Sequence, residues 1–468
     1  MKILHTSFEC HPIAKAGGLA DVVSALPKYQ LAFDVESLVV MPFYKNLFTD
    51  KNKLKNIGNG IIDLNGIKLK YFIEKINSEE IPYSVCMVRI DNLIDTENIY
   101  GYEDDKERYI AFQKALLDWL LKCKSKFDVI HCHDHHTSLI PFFINYCNEY
   151  VKLKDIATVL TIHNAQYQGQ FSHDYINLLP DFSVENIGLL DWGGFVNPLA
   201  AGIKCATRVN TVSPTYMNEL KENACGLESL LKSESNKFSG ILNGIDTCVW
   251  NPETDRLLLK NYKISNVISG KRANKLALCK KYGFNKDLPL FGFIGRLVYE
   301  KSADLLTEVV KEVLLKNRNC NILILGSGCE EIEIEITKLK KEFKGNFHSY
   351  IGFDEELSHL IYAGVDFLLM PSRIEPCGLN QMYSLRYGTI PIVRRTGGLK
   401  DTVIDIGDGG FGICHERASV WDITYSIYRA IHLYKNQKLF RKIQRYIMKI
   451  DNSWSQSAKK YIDLYKSI

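Results

Sequence analysis

Two nine-residue stretches, hundreds of positions apart, share one pattern: Lys15-Ala-Gly-Gly-Leu-Ala-Asp-Val-Val23 and Arg395-Thr-Gly-Gly-Leu-Lys-Asp-Thr-Val403. Each puts a cation, a glycine pair and an aspartate where a loop enters a helix-like segment. Glycines let the backbone approach a ligand closely, and amides at a helix start carry partial positive charge. The second stretch is the more elaborate. An apolar run, Val365 to Met370, reads as a buried strand. Glu375 follows in a loop punctuated by Pro376 and Gly378, ahead of a helix-like segment from Leu379 to Tyr387. A second apolar run, Ile390 to Val393, then leads to Arg394 and Arg395. Acids, arginines and glycines at strand ends and helix starts suit an anionic, phosphate-bearing ligand. Two such loops predict two α/β domains facing one cleft.

Length agrees, since 468 residues are enough for two or three domains with real cores. Charged residues make up 24% and the net charge is only +4, so no dense basic tract points to nucleic acid. The 13 cysteines are scattered without a C-x-x-C pair, which fits reduced thiols in a cytosol. No leader-like apolar segment opens the chain, and no run approaches the ~18–20 apolar residues that span a bilayer. The expectation is a cytoplasmic protein without membrane contact.

In chain order, residues 2–8 form a first strand and 38–42 another, while 45–98 show the broken alternation of added hairpins. Residues 127–136 end a strand in His131-Cys-His-Asp-His-His136, and 157–164 end one in His163 and Asn164. His131 and His133 share a face of an extended strand, so two metal ligands are geometrically possible. A structural zinc site needs four, and no second well-spaced ligand cluster occurs, so no metal is expected. Polar side chains at a cleft mouth are the favoured reading. The boundary between halves falls at 246–260. Strand 290–294 then leads to Arg296 and Lys301. Residues 321–328 carry an incomplete dinucleotide fingerprint, lacking its third glycine, and read as an ordinary strand-to-loop turn. The tail, 440–468, has helical character.

With these motifs in hand, the chain resembles bacterial glycogen synthases and plant starch synthases, glycosyltransferase family 5. The signposts run in order: KAGGLADVVSALP at 15–27, YGYEDDKER at 100–108, HCHD at 131–134, TIHNAQYQG at 161–169, GILNGIDTCVWNP at 240–252, GRLVYEK at 295–301, and the long segment 371–399. The resemblance implies a GT-B fold, two Rossmann-like domains with parallel sheets facing an interdomain cleft. It implies an N-terminal acceptor-side domain at 1–250, a nucleotide-sugar-binding domain at 251–443, and a helical segment at 444–468 that crosses back. The implied reaction is retaining transfer of glucose from ADP-glucose to the non-reducing end of an α-1,4-glucan such as glycogen. No cofactor or metal is implied. The alternative is a catalytically silent glucan-binding scaffold.

Site roles follow from the same resemblance, position by position. Lys15, Arg296 and Lys301 match cations that hold the donor diphosphate, and Glu375 matches the acid beside the donor sugar. Asp134 and His163 match polar groups near the transferring glucose. Gly17, Gly18, Gly397 and Gly398 match positions of close backbone approach. Asp21 and Phe353 match positions near the donor, with Phe353 flanking adenine. Asn164, Asn243, Cys377, Gly378, Leu379 and Thr396 complete the implied substrate-binding set. Four departures stand out: His135 where the family usually has Trp, Ala200 where Lys is common, Ser302 in place of Gly, and a segment 29–37 without the usual Gly-His turn.

Overall fold

The computed structural model describes residues 1–316 and 318–468. It divides into one unit of Met1–Asn243 with Trp454–Ile468, and a second of Gly244–Ser453. The division thus falls at 243/244, where the sequence reading places it at 250/251, and the returning segment starts at Trp454, where that reading places 444. The reason lies in the helix Gln437–Ile447, whose Phe440 packs against Phe367 and Tyr434 of the second unit.

The first unit is built on a ten-stranded sheet. In spatial order its parallel part runs Phe238–Gly240, Arg208–Thr211, Ala157–Ile162, Val129–His133, Lys2–Thr6, Glu36–Tyr44 and Ser84–Arg89. Two long antiparallel strands, Ile67–Asn77 and Lys53–Leu64, extend one edge as the alternation at 45–98 predicts. Asn65 and Gly66 join them with positive φ at both positions, as a tight hairpin turn requires. The C-terminal helix Trp454–Lys466 buries Trp454, Ala458, Tyr461, Ile462 and Tyr465, a 3.6-period stripe, against Val22 and Leu26 of the helix Gly18–Gln30. Each large side chain so buried contributes about 1.5–3 kcal/mol.

The second unit is a six-stranded sheet with every pair parallel. Its spatial order is Phe347–Ile351, Asn321–Gly326, Leu290–Ile294, Phe367–Met370, Ile390–Arg394, Ile413–His415. Numbered along the chain, that order is 3-2-1-4-5-6, the doubly wound arrangement of dinucleotide-binding folds. Strands buried on both faces read as continuous apolar runs, which is why Leu290–Ile294 and Phe367–Met370 show no alternation. In such a sheet ligands bind beyond the carboxyl ends of the strands, where the winding reverses. Here that point lies between Leu290–Ile294 and Phe367–Met370.

The two GGL stretches occupy different places in these sheets. Lys15–Gly18 follows the first strand of its unit, whereas Arg395–Gly398 follows the fifth of its own. They are alike as strand–loop–helix joints and are not equivalent positions of one repeated domain.

Candidate active site

The reversal point of the second unit carries the densest chemistry. After Leu290–Ile294 the chain passes Arg296 and makes a short helical turn, Tyr299–Lys301. After Phe367–Met370 it enters the loop holding Ser372 and Glu375. The two loops are tied by Arg373 and Ile374 amides donating to the Glu300 carbonyl, at 2.8 and 3.2 Å. This brings Lys301 Nζ to 2.6 Å from Glu375 Oε2, which also accepts from Ser372 Oγ at 2.8 Å. Glu375 is 7% exposed. It caps no helix; it is a buried carboxylate held by an ammonium and a hydroxyl. Arg394 donates from Nε to the Ser372 carbonyl, bracing the loop from the next strand. Arg296 is exposed and has no ion-pair partner among the described residues, and Phe353 stands 86% exposed beyond Phe347–Ile351.

Ser302, one of the departures, takes φ 56°, ψ 30°, a left-handed conformation that favours glycine. Its buried hydroxyl donates to the Pro371 carbonyl at 2.8 Å, so it adds a link between the Lys301 turn and the Glu375 loop. The glycines nearby pack the loop tightly. A Cβ on Gly397 would fall 2.0 Å from the Glu375 carbonyl oxygen, and one on Gly398 2.1 Å from that of Cys377. Their Cβ-side faces are filled by the Glu375 loop. Gly326 and Gly328 serve the Arg296 loop in the same way, lying against the backbone of Gly295 and Leu297. Their incomplete fingerprint is therefore a loop-packing device. Cys377 and Thr396 are buried, and Gly378 has positive φ where the chain turns into the helix Asn380–Arg386 after Leu379.

In the first unit the implied residues gather at the carboxyl ends of adjacent parallel strands. Lys15, 44% exposed, pairs with Asp21 at 2.7 Å across the first turn of Gly18–Gln30. A Cβ on Gly17 or Gly18 would meet nothing within 4 Å, so this glycine pair does present an open face. Asp134 follows Val129–His133 with φ 58°, strained for a non-glycine residue. Its Oδ1 accepts from the His163 amide at 2.7 Å and the Asn164 amide at 3.4 Å. Burial raises its carboxyl to about 7 against the pull of these two amides. Burial lowers His163 to about 3, so its imidazole is neutral at physiological pH. Asn243 is buried and its amide oxygen has no partner among the described residues, a group suited to a ligand hydroxyl.

The His cluster resolves into a hydrogen-bonded chain. His5 Nε2 meets Gln30 Oε1 at 3.0 Å, and His5 Nδ1 meets His133 Nε2 at 3.4 Å. His133 Nδ1 meets His163 Nε2 at 3.0 Å. His131 is bound to Tyr465 Oη and Thr161 Oγ1, at 2.7 and 2.6 Å. One ring nitrogen each from His5, His131 and His133 lies within 4.8 Å of the others. Yet every ring nitrogen of the three is committed. The rings of His131 and His133 stack at 4.2 Å.

The other departures are absorbed locally. His135 packs against Gly169 and Tyr109. Ala200 is wholly buried in the first turn of Pro198–Cys205, its amide capped by Asn197. Asp34 takes the left-handed turn of segment 29–37. Sequence reasoning missed Glu9, whose buried carboxylate underlies the Lys15 loop, and Ser372. Glu9 sits three residues past an apolar strand with no motif of its own, so only its contacts disclose it.

The starch synthase catalytic domain family matches residues 2–233, and the glycosyl transferases group 1 family matches residues 274–445. A glycogen synthase of Flavobacterium johnsoniae is 50% identical, covering 100% of this chain and 99% of its own. One from Thermosipho melanesiensis is 39% identical over 99% and 98% of the two chains. The catalytic domain of starch synthase IV from Arabidopsis thaliana, solved with ADP and acarbose, superposes with a TM-score of 0.90 at 32% identity, covering 100% of this chain and 99% of its own. Two Rossmann-like units matched end to end in this way define a glycosyltransferase of the GT-B fold. The chain belongs to the glycogen and starch synthase family, glucosyltransferases that elongate a glucan from a nucleotide sugar. The silent-scaffold alternative finds no support in these relatives.

Proposed function

We propose that the donor is ADP-glucose and that glucose passes, with retention, to the non-reducing 4-hydroxyl of an α-1,4-glucan. The observation that carries this is the Lys301–Glu375 pair, 2.6 Å apart at the winding reversal of a nucleotide-type sheet. An ammonium there, with Arg296 earlier on the same loop, suits a diphosphate whose negative charge grows as it leaves. A buried carboxylate beside it suits the positive charge that develops on the sugar. The bond from the anomeric carbon to the diphosphate oxygen breaks and the bond to the acceptor oxygen forms on the same face. The acceptor proton passes to the departing phosphate. The chain's own cations do the work of a divalent ion, so no metal or other cofactor is required. Lys15, beside open glycines, is the first unit's candidate ligand for a diphosphate, and Phe353 offers an exposed ring to adenine. ADP as a ligand of the Arabidopsis relative supports the choice of base. Thirteen cysteines, all free thiols, support a reducing, cytoplasmic setting. Among the described residues no helix is long and apolar enough to cross a membrane.

The test is nucleotide release from ADP-glucose and from UDP-glucose in the presence of glycogen, with product linkage read by NMR. ADP release with new α-1,4 linkages is expected. Faster release from UDP-glucose, or an inverted anomer, would overturn the donor or the stereochemical reading respectively.

A further inference from the structure

One buried side chain underlies the Lys15 loop. Glu9 lies beneath it, 4% exposed. Its Oε2 accepts from the amides of Ala16 and Gly17, at 2.7 and 2.8 Å, and its Oε1 accepts from Tyr100 Oη at 2.8 Å. Ser7 Oγ accepts from the Glu9 amide at 3.1 Å and donates to its carbonyl at 2.9 Å, fixing the backbone. Tyr100 is fixed too, its ring stacked on His136 at 4.9 Å, and His136 in turn stacks on Phe8 at 5.2 Å. The carboxylate is therefore held from both sides and holds the loop from within.

The opposite side of the loop is bare. Neither glycine has any atom within 4 Å of where a Cβ would stand, and Lys15 is aimed by Asp21. A carboxylate is retained in the interior only where strong donors meet it, and here two of the three donors are the loop's own amides. We infer that Glu9 is a positioning residue for the donor: by gripping the Ala16 and Gly17 amides, it sets where Lys15 and the open glycine face stand. The inference rests on the reading of Lys15 as a diphosphate ligand given above.

The measurement is the donor KM, the glucan KM and kcat for Glu9→Ala, Glu9→Gln, Tyr100→Phe, Lys15→Ala and the Glu9→Ala/Lys15→Ala double variant. A Gln side chain keeps the contacts: its oxygen accepts both amides, and its NH2 donates to Tyr100 Oη, whose hydroxyl can rotate. Glu9→Ala removes the acceptor that holds the Ala16 and Gly17 amides and so frees the loop. Its donor KM should rise about tenfold or more, the scale of a small misplacement of a binding group, with the glucan KM unchanged. Glu9→Gln should restore the donor KM to within about threefold of the parent, and Tyr100→Phe should fall between the two. The double variant should lose no more than Lys15→Ala alone, since both changes remove one interaction. A folded Glu9→Ala enzyme with a lowered Tm but parental donor KM would overturn the inference. So would additive losses in the double variant or, if Glu9→Ala fails to fold, a parental donor KM in Tyr100→Phe. A parental donor KM in Lys15→Ala would instead strike the underlying reading of Lys15, and the role of Glu9 would fall with it.

Discussion

Glu375→Gln separates chemistry from scaffold most cleanly, because both of the carboxylate's contacts fall on one oxygen. Lys301 Nζ and Ser372 Oγ meet Oε2, at 2.6 and 2.8 Å. A glutamine that places its carbonyl oxygen there keeps both hydrogen bonds and the side-chain volume. What is lost is the charge, so a charge-assisted bond becomes an ordinary one. That difference is worth about 1 kcal/mol, and Lys301, 23% exposed, retains water to solvate its ammonium. The expected fall in stability is therefore about 1 kcal/mol or less. The catalytic loss is larger, since charge on the reacting sugar grows only as the diphosphate leaves. Turnover at saturating donor should fall at least about a hundredfold, roughly 2.7 kcal/mol. ADP affinity moves the other way or not at all, because Lys301 no longer shares its charge with Glu375. The assay is single-turnover ADP release, with urea denaturation and ADP titration on the same preparation. Near-parental turnover with a lowered Tm would refute the reasoning and assign Glu375 to the loop's architecture.

Three further outcomes follow from the structure. Ser302→Ala should cost about 1–2 kcal/mol, because the bond to Pro371 is lost while the left-handed backbone remains strained. Ser302→Gly should come near zero, as relief of strain offsets the same lost bond, and urea denaturation showing the reverse order would contradict this. Stability should fall on acidification below about pH 6.5, where unfolded histidines bind protons and buried ones do not. Burial lowers His5 to about 4 and holds His131 and His133 well below their usual value, so each contributes stability above pH 6.5 that is lost as pH falls towards its folded pKa. For His5 that is roughly 3 kcal/mol. Asp134, raised to about 7, opposes this, since its contribution is present below pH 3.8 and lost as pH rises through 7. One carboxyl against three histidines leaves a net loss in acid, and a Tm flat between pH 7 and 5 would contradict it. Finally, activity should survive exhaustive chelation. Loss of activity restored by Zn²⁺ would return His5, His131 and His133 to consideration as ligands.

The two-unit α/β plan is legible along the chain, because buried parallel strands must be continuous apolar runs and their joints must carry glycines and polar residues. The sequence also singled out Lys301, Glu375, Asp134 and His163 as candidate site residues, through the family resemblance of the motifs that carry them. Tertiary structure decided what each of those groups touches. Glu375 reads equally well as a helix cap or a reacting-site acid until Lys301, 74 positions earlier, lies beside it. The two GGL loops look alike as strings, yet one glycine pair opens outwards and the other is packed beneath the Glu375 loop. Four histidines in six residues suggest ligands, but partners as distant as Gln30, Thr161 and Tyr465 take up the nitrogens of His5 and His131. Glu9 left no signal in the chain at all. Strand and helix identity follow from local periodicity, which neighbours along the chain encode. The partner of a buried polar atom is set by strand order, which brings together residues that no local pattern relates.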